Sequence, residues 1–67
     1  MIELSLNGAA HSVAAGTTLA ALLEALGQQQ DKLATAINGE FVPRGVRRER
    51  VLRAGDQVMC FHAVVGG

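Results

Sequence analysis

Ile2, Leu4 and Leu6 alternate with Glu3, Ser5 and Asn7 at the start of the chain. A period of two predicts a half-buried strand with one face toward a core. Asn7-Gly8 follows, and both residues accept the positive φ of a type I′ turn, so a hairpin is expected with a return strand over residues 10–14. That return strand is rich in alanine and low in strand propensity, so cross-strand pairing must hold it, with Val13 as its inward residue. The period then changes. Leu19, Leu22, Leu23 and Leu26 recur at i, i+3, i+4 and i+7, the single apolar stripe of a helix. Thr18 is placed to cap its N-terminus through the hydroxyl, and Gly27 to end it in a left-handed conformation. Burying the four leucines is worth about 6–10 kcal/mol before chain entropy is subtracted.

Beyond the polar "QQQDK", the stretch "LATAINGEFVP" predicts a short strand, a turn at Asn38-Gly39 and a second brief strand ended by Pro43. Its pattern leaves open which of Ala36 and Ile37 points inward. "RGVRRERVLRAGD" is irregular, with Val51 and Leu52 as its adjacent apolar pair and a turn at Gly55-Asp56. "QVMCFHAVV" has the β-branched and aromatic character of a final strand. The order is strand, strand, helix, strand, short strand, strand. A helix crossing over after the hairpin lets a later strand lie parallel to the first. The last strand, the most apolar, belongs in the centre beside it. The expected fold is α+β, a β-grasp (ubiquitin-like) with a mixed four- to five-stranded sheet packed on one helix. Residues 1–63 make the domain and residues 64–67 a flexible C-terminal tail.

Composition narrows the range of functions. Sixty-seven residues make one domain, too small to enclose a deep active site. Hydrophobic residues make up 49% of the chain, as in a folded domain. There are two Phe and no Trp or Tyr, so stacking platforms for nucleobases are nearly absent. A formal net charge of zero gives no general pull toward nucleic acid or membrane. One cysteine forms neither an internal disulfide nor a cysteine-based zinc cluster. With no membrane-length apolar run and no signal-peptide pattern, a cytoplasmic setting is expected.

"NG" in the first hairpin, "GTTLAALLEAL" as the helix, "AINGEFVPR", "LRAGDQV" and the closing "GG" together resemble the ubiquitin-like sulfur carriers, and among them the ThiS family of thiamine biosynthesis. The resemblance runs the whole length of the chain. Arg47 departs from it, standing where many relatives are expected to carry an aromatic residue; that affects a packing contact or a partner surface and leaves the tail chemistry untouched. The resemblance implies a cycle. An E1-like adenylating enzyme uses ATP to adenylate the Gly67 carboxylate. A sulfur donor such as a cysteine desulfurase converts the acyl-adenylate to a thiocarboxylate, and thiazole synthase takes the sulfur. The chain is then a protein cosubstrate and not an enzyme. It has no catalytic residues, no stably bound cofactor and no metal, and is expected to be monomeric when alone.

The tail suits that role on physical grounds. A carboxylate is a poor electrophile until AMP gives it a good leaving group. Gly66 and Gly67 lack Cβ, so they fit a narrow channel in another protein. Their N–H groups remain free to bond the channel walls. Val64 and Val65 mark where strand gives way to tail. Alternation places Val58 and Cys60 on one face of the final strand and Met59 and Phe61 on the other. If the first pair faces the helix, Met59 and Phe61 form an apolar docking patch for partner enzymes. Cys60 then reads as a small buried hydrophobe and not as the sulfur donor. His11 and His62 lack a third ligand at metal spacing. "RGVRRERVLR" gathers five of the six cations, which reads as a solvated face or a surface complementary to an acidic partner.

The nearest alternatives are the small subunit of molybdopterin synthase and other ubiquitin-like sulfur carriers, which share fold and tail. Members of the former tend to be longer, with prolines before Gly-Gly, where this chain has "HAVV". A β-grasp module binding RNA or protein has only the basic cluster in its favour. A hydrolase would need a nucleophile, base and orienting group that the sequence does not assemble.

Overall fold

A computed structural model describes residues 1–27 and 32–62. The expected domain boundary at 63 and the tail 64–67 lie outside the described residues. Strand β1 (Ile2–Leu6) turns at Asn7 (φ 51) and Gly8 (φ 85) into β2 (Ala9–Val13), one residue earlier than the sequence pattern predicts. Their antiparallel register runs from Ile2↔Val13 to Leu6↔Ala9, and Val13 is buried as expected. The single helix α1 spans Leu19–Ala25. Strands β3 (Leu33–Ile37) and β4 (Glu40–Val42) form a second hairpin through Asn38 (φ 53) and Gly39 (φ 83). A 3₁₀ turn at Arg44–Val46 precedes β5 (Gln57–His62). The sheet order is β2-β1-β5-β3-β4. β5 lies in the centre, parallel to β1 and antiparallel to β3.

Register decides the faces. Leu6↔Val58, Ile37↔Val58 and Thr35↔Val42 stand opposite one another, and opposite residues share a face. The inner face joins Leu4, Val13, Leu33, Ile37, Val42 and Val58 to Leu19, Leu22 and Leu23 of α1 and to Leu52. Ile37 is therefore the inward residue and Ala36 the outward one. Of the apolar pair, Leu52 is buried and Val51 is exposed.

The helix is capped as predicted at its start. Thr18 Oγ1 accepts from the Ala21 N–H at 3.1 Å. Two further N–H groups of the first turn find partners the sequence did not announce: Leu19 donates to the Arg50 carbonyl at 2.9 Å and Ala20 to the Arg47 carbonyl at 3.1 Å. The segment that reads as irregular thus completes the helix N-terminus, satisfying donors an isolated helix would leave free. At the other end the expected stripe is one leucine too long. Leu26 is the cap residue and is 37% exposed, while Ala20 joins the buried set. The reason is geometric. Leu26 borders an open cavity of about 160 Å³ with Leu33, Cys60 and His62 and is not covered on that side. With three leucines buried, the helix contributes roughly 5–9 kcal/mol before chain entropy.

Arg47 departs from the solvated face expected of the basic cluster. It is 1% exposed and lies inside the core. Its Nε donates to Thr35 Oγ1 at 3.0 Å, and an Nη donates to the Leu33 carbonyl. Thr35 Oγ1 donates onward to the Val42 carbonyl at 2.9 Å. A planar fork of donors suits this better than an ammonium would, because the guanidinium is weakly hydrated and its bonds diverge. Burial pushes the Arg47 pKa below the ordinary arginine value, with Arg44 acting in the same direction and Cys60 against it. Arg44, Arg48 and Arg53 are exposed, and Arg50 lies 3.9 Å from the buried Asp56 carboxylate. Among the described residues no helix is long and apolar enough to cross a membrane.

Removing Arg47 opens a cavity and strips hydrogen bonds from Leu33 and Thr35. Arg47→Ala is expected to cost about 2–4 kcal/mol, against roughly 3–10 kcal/mol of net stability for a domain of this length. Arg47→Met, which refills the volume, should lose less. Urea unfolding of the three proteins checks the order, and a wild-type midpoint for Arg47→Ala would place Arg47 outside the core.

Candidate functional site

The outer face of the sheet carries side chains that no element of the domain covers. Along β5, alternation sends Met59 and Phe61 outward, where they are 39% and 50% exposed, as the sequence pattern predicts. Register supplies their neighbours. Ala36 pairs with Met59 on one side and with Phe41 of β4 on the other, and Ala34 pairs with Phe61. Directly opposed residues hold their Cβ atoms about 4.5–5.5 Å apart. The two alanines are too small to shield the flanks of the larger groups. The result is a continuous apolar surface across three strands, in which Phe41 is 68% exposed. Sequence reasoning missed Phe41. The alternation in "EFV" separates it from Val42, but only the ladder with β3 shows that its face is the one carrying Met59.

The inner face of β5 carries different chemistry. Cys60 is half-buried against the core beside Leu6, as the alternation implies, and opposite Thr35. With Leu6, Asn7, Leu23, Leu26, Leu33 and His62 it lines a cavity of about 160 Å³ at the end of the sheet. Burial pushes the Cys60 thiol above its usual pKa, and the Arg47 guanidinium offsets this only in part. A thiol held protonated is a weak nucleophile. His62 is exposed, and His11 is half-buried on β2 opposite Leu4. Among the described residues no three His, Cys, Asp or Glu side chains come together as a metal site would require. Val64, Val65, Gly66 and Gly67 lie outside the described residues.

Two asparagines add contacts that a turn reading does not reveal. Asn7 Oδ1 accepts from the Cys60 N–H at 2.9 Å, and Asn38 Oδ1 accepts from the Gln57 N–H at 2.9 Å. Asn38 Nδ2 also donates to Asp56 Oδ1 at 3.1 Å, while Asp56 Oδ2 accepts from the Arg53 N–H at 2.9 Å. β5 is therefore held near both ends by side chains as well as by its ladders.

A mixed five-stranded sheet in this order, wrapped on one helix with β5 in the centre, is a ubiquitin-like β-grasp. A solved structure of the thiamine biosynthesis protein ThiS from Geobacter metallireducens superposes with a TM-score of 0.87 at 28% identity, covering 98% of this chain and 100% of that one. Residues 4–67 match the ThiS family, and the chain belongs to it. The sulfur carrier protein ThiS of Escherichia coli (strain K12) is 38% identical over 66 residues, covering 98% of this chain and 100% of that protein. A thiazole synthase from Magnetococcus marinus is 39% identical over 66 residues, covering 98% of this chain but only 20% of that protein, so the likeness is to one segment of it.

The raised Cys60 pKa has a direct consequence. Below that pKa the thiolate fraction is smaller than in a free cysteine, so iodoacetamide at pH 8 should alkylate the folded protein several-fold more slowly than the urea-unfolded chain. The difference should narrow as pH rises through the thiol range. Equal rates at pH 8 would show Cys60 to be an open, ordinary thiol.

Proposed function

We propose that this chain is a sulfur carrier that bears sulfur on the carboxylate of Gly67 and delivers it to thiazole synthase in thiamine biosynthesis. The observation that carries this reading is the unbroken match with the E. coli sulfur carrier along that protein's whole length, together with a family match that continues to Gly67. The Magnetococcus thiazole synthase, which includes a segment like this chain, supports the acceptor.

The chemistry is that of carboxylate activation. A Gly67 carboxylate oxygen attacks the α-phosphorus of ATP on an E1-like adenylating enzyme, and pyrophosphate leaves. The acyl-adenylate carbon is now electrophilic. Persulfide sulfur from a donor such as a cysteine desulfurase attacks that carbon and AMP leaves; a thiol then reduces the resulting acyl disulfide, forming its own disulfide with the donor sulfur and releasing the thiocarboxylate. The catalytic groups belong to the partners. The carrier's share is recognition and reach. Val64, Val65, Gly66 and Gly67 make the inserted tail, with the two glycines fitting a channel that a Cβ would block. The surface of Met59, Phe61 and Phe41 docks on the adenylating enzyme. Aromatic residues and methionine bury large apolar areas and are enriched at such contacts, and methionine adapts its shape to more than one partner.

Intact-mass spectrometry of the carrier with ATP, an adenylating enzyme and a sulfur donor checks the cycle. An AMP adduct followed by replacement of one oxygen by sulfur at the C-terminus is expected. A mass that never changes would sink the reading, and one residue appended after Gly67 should abolish both changes. Phe61→Ala is expected to raise the KM for the carrier about tenfold, equivalent to about 1.4 kcal/mol, with an unchanged unfolding midpoint. Phe41→Ala should act in the same direction. Unaltered adenylation kinetics at subsaturating carrier would exclude the outer face as the docking surface.

A further inference from the structure

β4 is an edge strand of the sheet, and its free side is short. The two-residue turn at Asn38-Gly39 makes Ile37↔Glu40 the closing hydrogen-bonded pair of its hairpin. Alternation then points the N–H and C=O of Glu40 and Val42 toward β3, and those of Phe41 toward the open edge. The next residue to face that edge is Pro43. It has no N–H, and its carbonyl already accepts from the Val46 N–H at 2.9 Å. The edge therefore offers one donor and one acceptor, both on Phe41.

On the inner side of this edge, a groove of about 170 Å³ lies between β4 and the 3₁₀ turn. Ile37, Val42, Pro43 and Val46 give it apolar walls, and Glu40 and Arg50 add opposite charges. Val46 is 42% exposed there. The volume is well below the roughly 300–1,000 Å³ of small-molecule pockets, and suits a single aliphatic side chain. Arg50 is engaged within the domain, through the Val51 carbonyl at 2.7 Å and the Asp56 carboxylate at 3.9 Å. Arg44 and Arg48, on the turn that follows β4, are exposed and pair with no carboxylate among the described residues. The edge thus runs from a carboxylate at Glu40 to free guanidinium groups beyond Pro43.

We propose that the β4 edge is a docking site for an extended acidic segment of a partner protein, added antiparallel to β4 as a further strand. The segment's residue opposite Phe41 exchanges both main-chain bonds with it. The residue before that one, opposite Val42, places an aliphatic side chain in the groove. Acidic residues further back lie over Arg44 and Arg48, where charge selects the occupant. The site adjoins the outer face at Phe41 but differs from it in kind, because main-chain bonds and charge are added to apolar area. A second copy of this chain fits poorly: paired about Phe41, it would set the Glu40 carboxylate of one chain opposite Val42 and against the apolar groove of the other. Nucleic acid would meet the arginines but has no use for a strand edge or an aliphatic groove, and the groove has one aromatic residue on which a base could stack.

NMR titration of the full-length protein with a synthetic peptide, in which glutamates precede a Leu-Val-Thr core, tests the site at low ionic strength. Amide shifts are expected over residues 40–46 and at Arg50, and not at Phe61 or along β1. Hydrogen exchange adds the signature of strand addition. Bound peptide should slow the Phe41 amide about tenfold or more, while the Glu40 and Val42 amides, already bonded to β3, change little. Lysines in place of the glutamates should weaken binding about tenfold. Val46→Asp, a change at a half-exposed position, should weaken the glutamate peptide to a similar extent of about tenfold and leave the urea midpoint near wild type. Arg44→Glu with Arg48→Glu should reverse the preference, so that the lysine peptide binds better; this arm needs no change in the groove. An absence of shifts at about 1 mM peptide, shifts centred on Met59 and Phe61, equal binding of the two peptides, or an unslowed Phe41 amide would each overturn the proposal. So would concentration-dependent shifts over 40–46 without peptide, which would make the occupant a second copy. Tighter binding of a mixed-sequence single-stranded RNA at the same residues in physiological salt would also overturn it. None of these measurements involves ATP or Gly67, so the carrier function stands or falls separately.

Discussion

β5 must be buried on one face, bare on the other and anchored along a length greater than any single neighbour provides, and most of the structure answers to that constraint. Burial of the inner face comes from Val58 and Cys60 against the leucines of α1. Anchoring comes from β3 along the Val58–His62 stretch, from β1 over its first half, and from the two asparagine side chains at either end. A central strand parallel to β1 requires a long crossover. The helix, the second hairpin and the 44–56 segment make up that crossover. The bare outer face follows from having only one helix, because a sheet this small has a single layer with which to cover itself.

The crossover has a polar interior, which is unusual for so short a chain. Arg47 and Thr35 are buried among leucines and valines. Their hydrogen bonds link the segment after β4 to the Leu33 carbonyl of β3 and the Val42 carbonyl of β4. The Arg47 carbonyl in turn receives an N–H from the first turn of α1. A buried polar network of this kind is costly when half satisfied and specific when complete. Every buried side-chain nitrogen and oxygen among the described residues has a partner. The network holds a loop with few apolar residues at one height against the sheet, where leucine packing alone would leave its register loose.

Function in the proposed cycle divides between two parts of the same strand. The outer face offers area for recognition, and the chain beyond His62 offers one carboxylate for chemistry. Neither part needs a pocket or a charge cluster. The half-buried, protonated Cys60 fits this division. Its surroundings make it packing material.

The local elements could be read from the residues themselves. Alternation in β1, the Asn-Gly turns, the Thr18 cap and the outward Met59 and Phe61 follow from periods and dihedral preferences that each segment carries wherever it sits. What could not be read were the features that depend on two segments meeting. Ile37 faces inward and Phe41 joins Met59 because of register, a relation between strands. Leu26 is exposed where it borders the open cavity at the end of the sheet, although its spacing fits the buried stripe. Arg47 reads as one cation among five until the fold buries it against the Thr35 hydroxyl and the Leu33 carbonyl. Asn7 and Asn38 announce their turns through backbone preference, but the strand their side chains hold arrives from the far end of the chain. A short peptide window records conformational preference and amphipathicity; burial, register and hydrogen-bond partnership are properties of pairs, and only the packed chain assigns them.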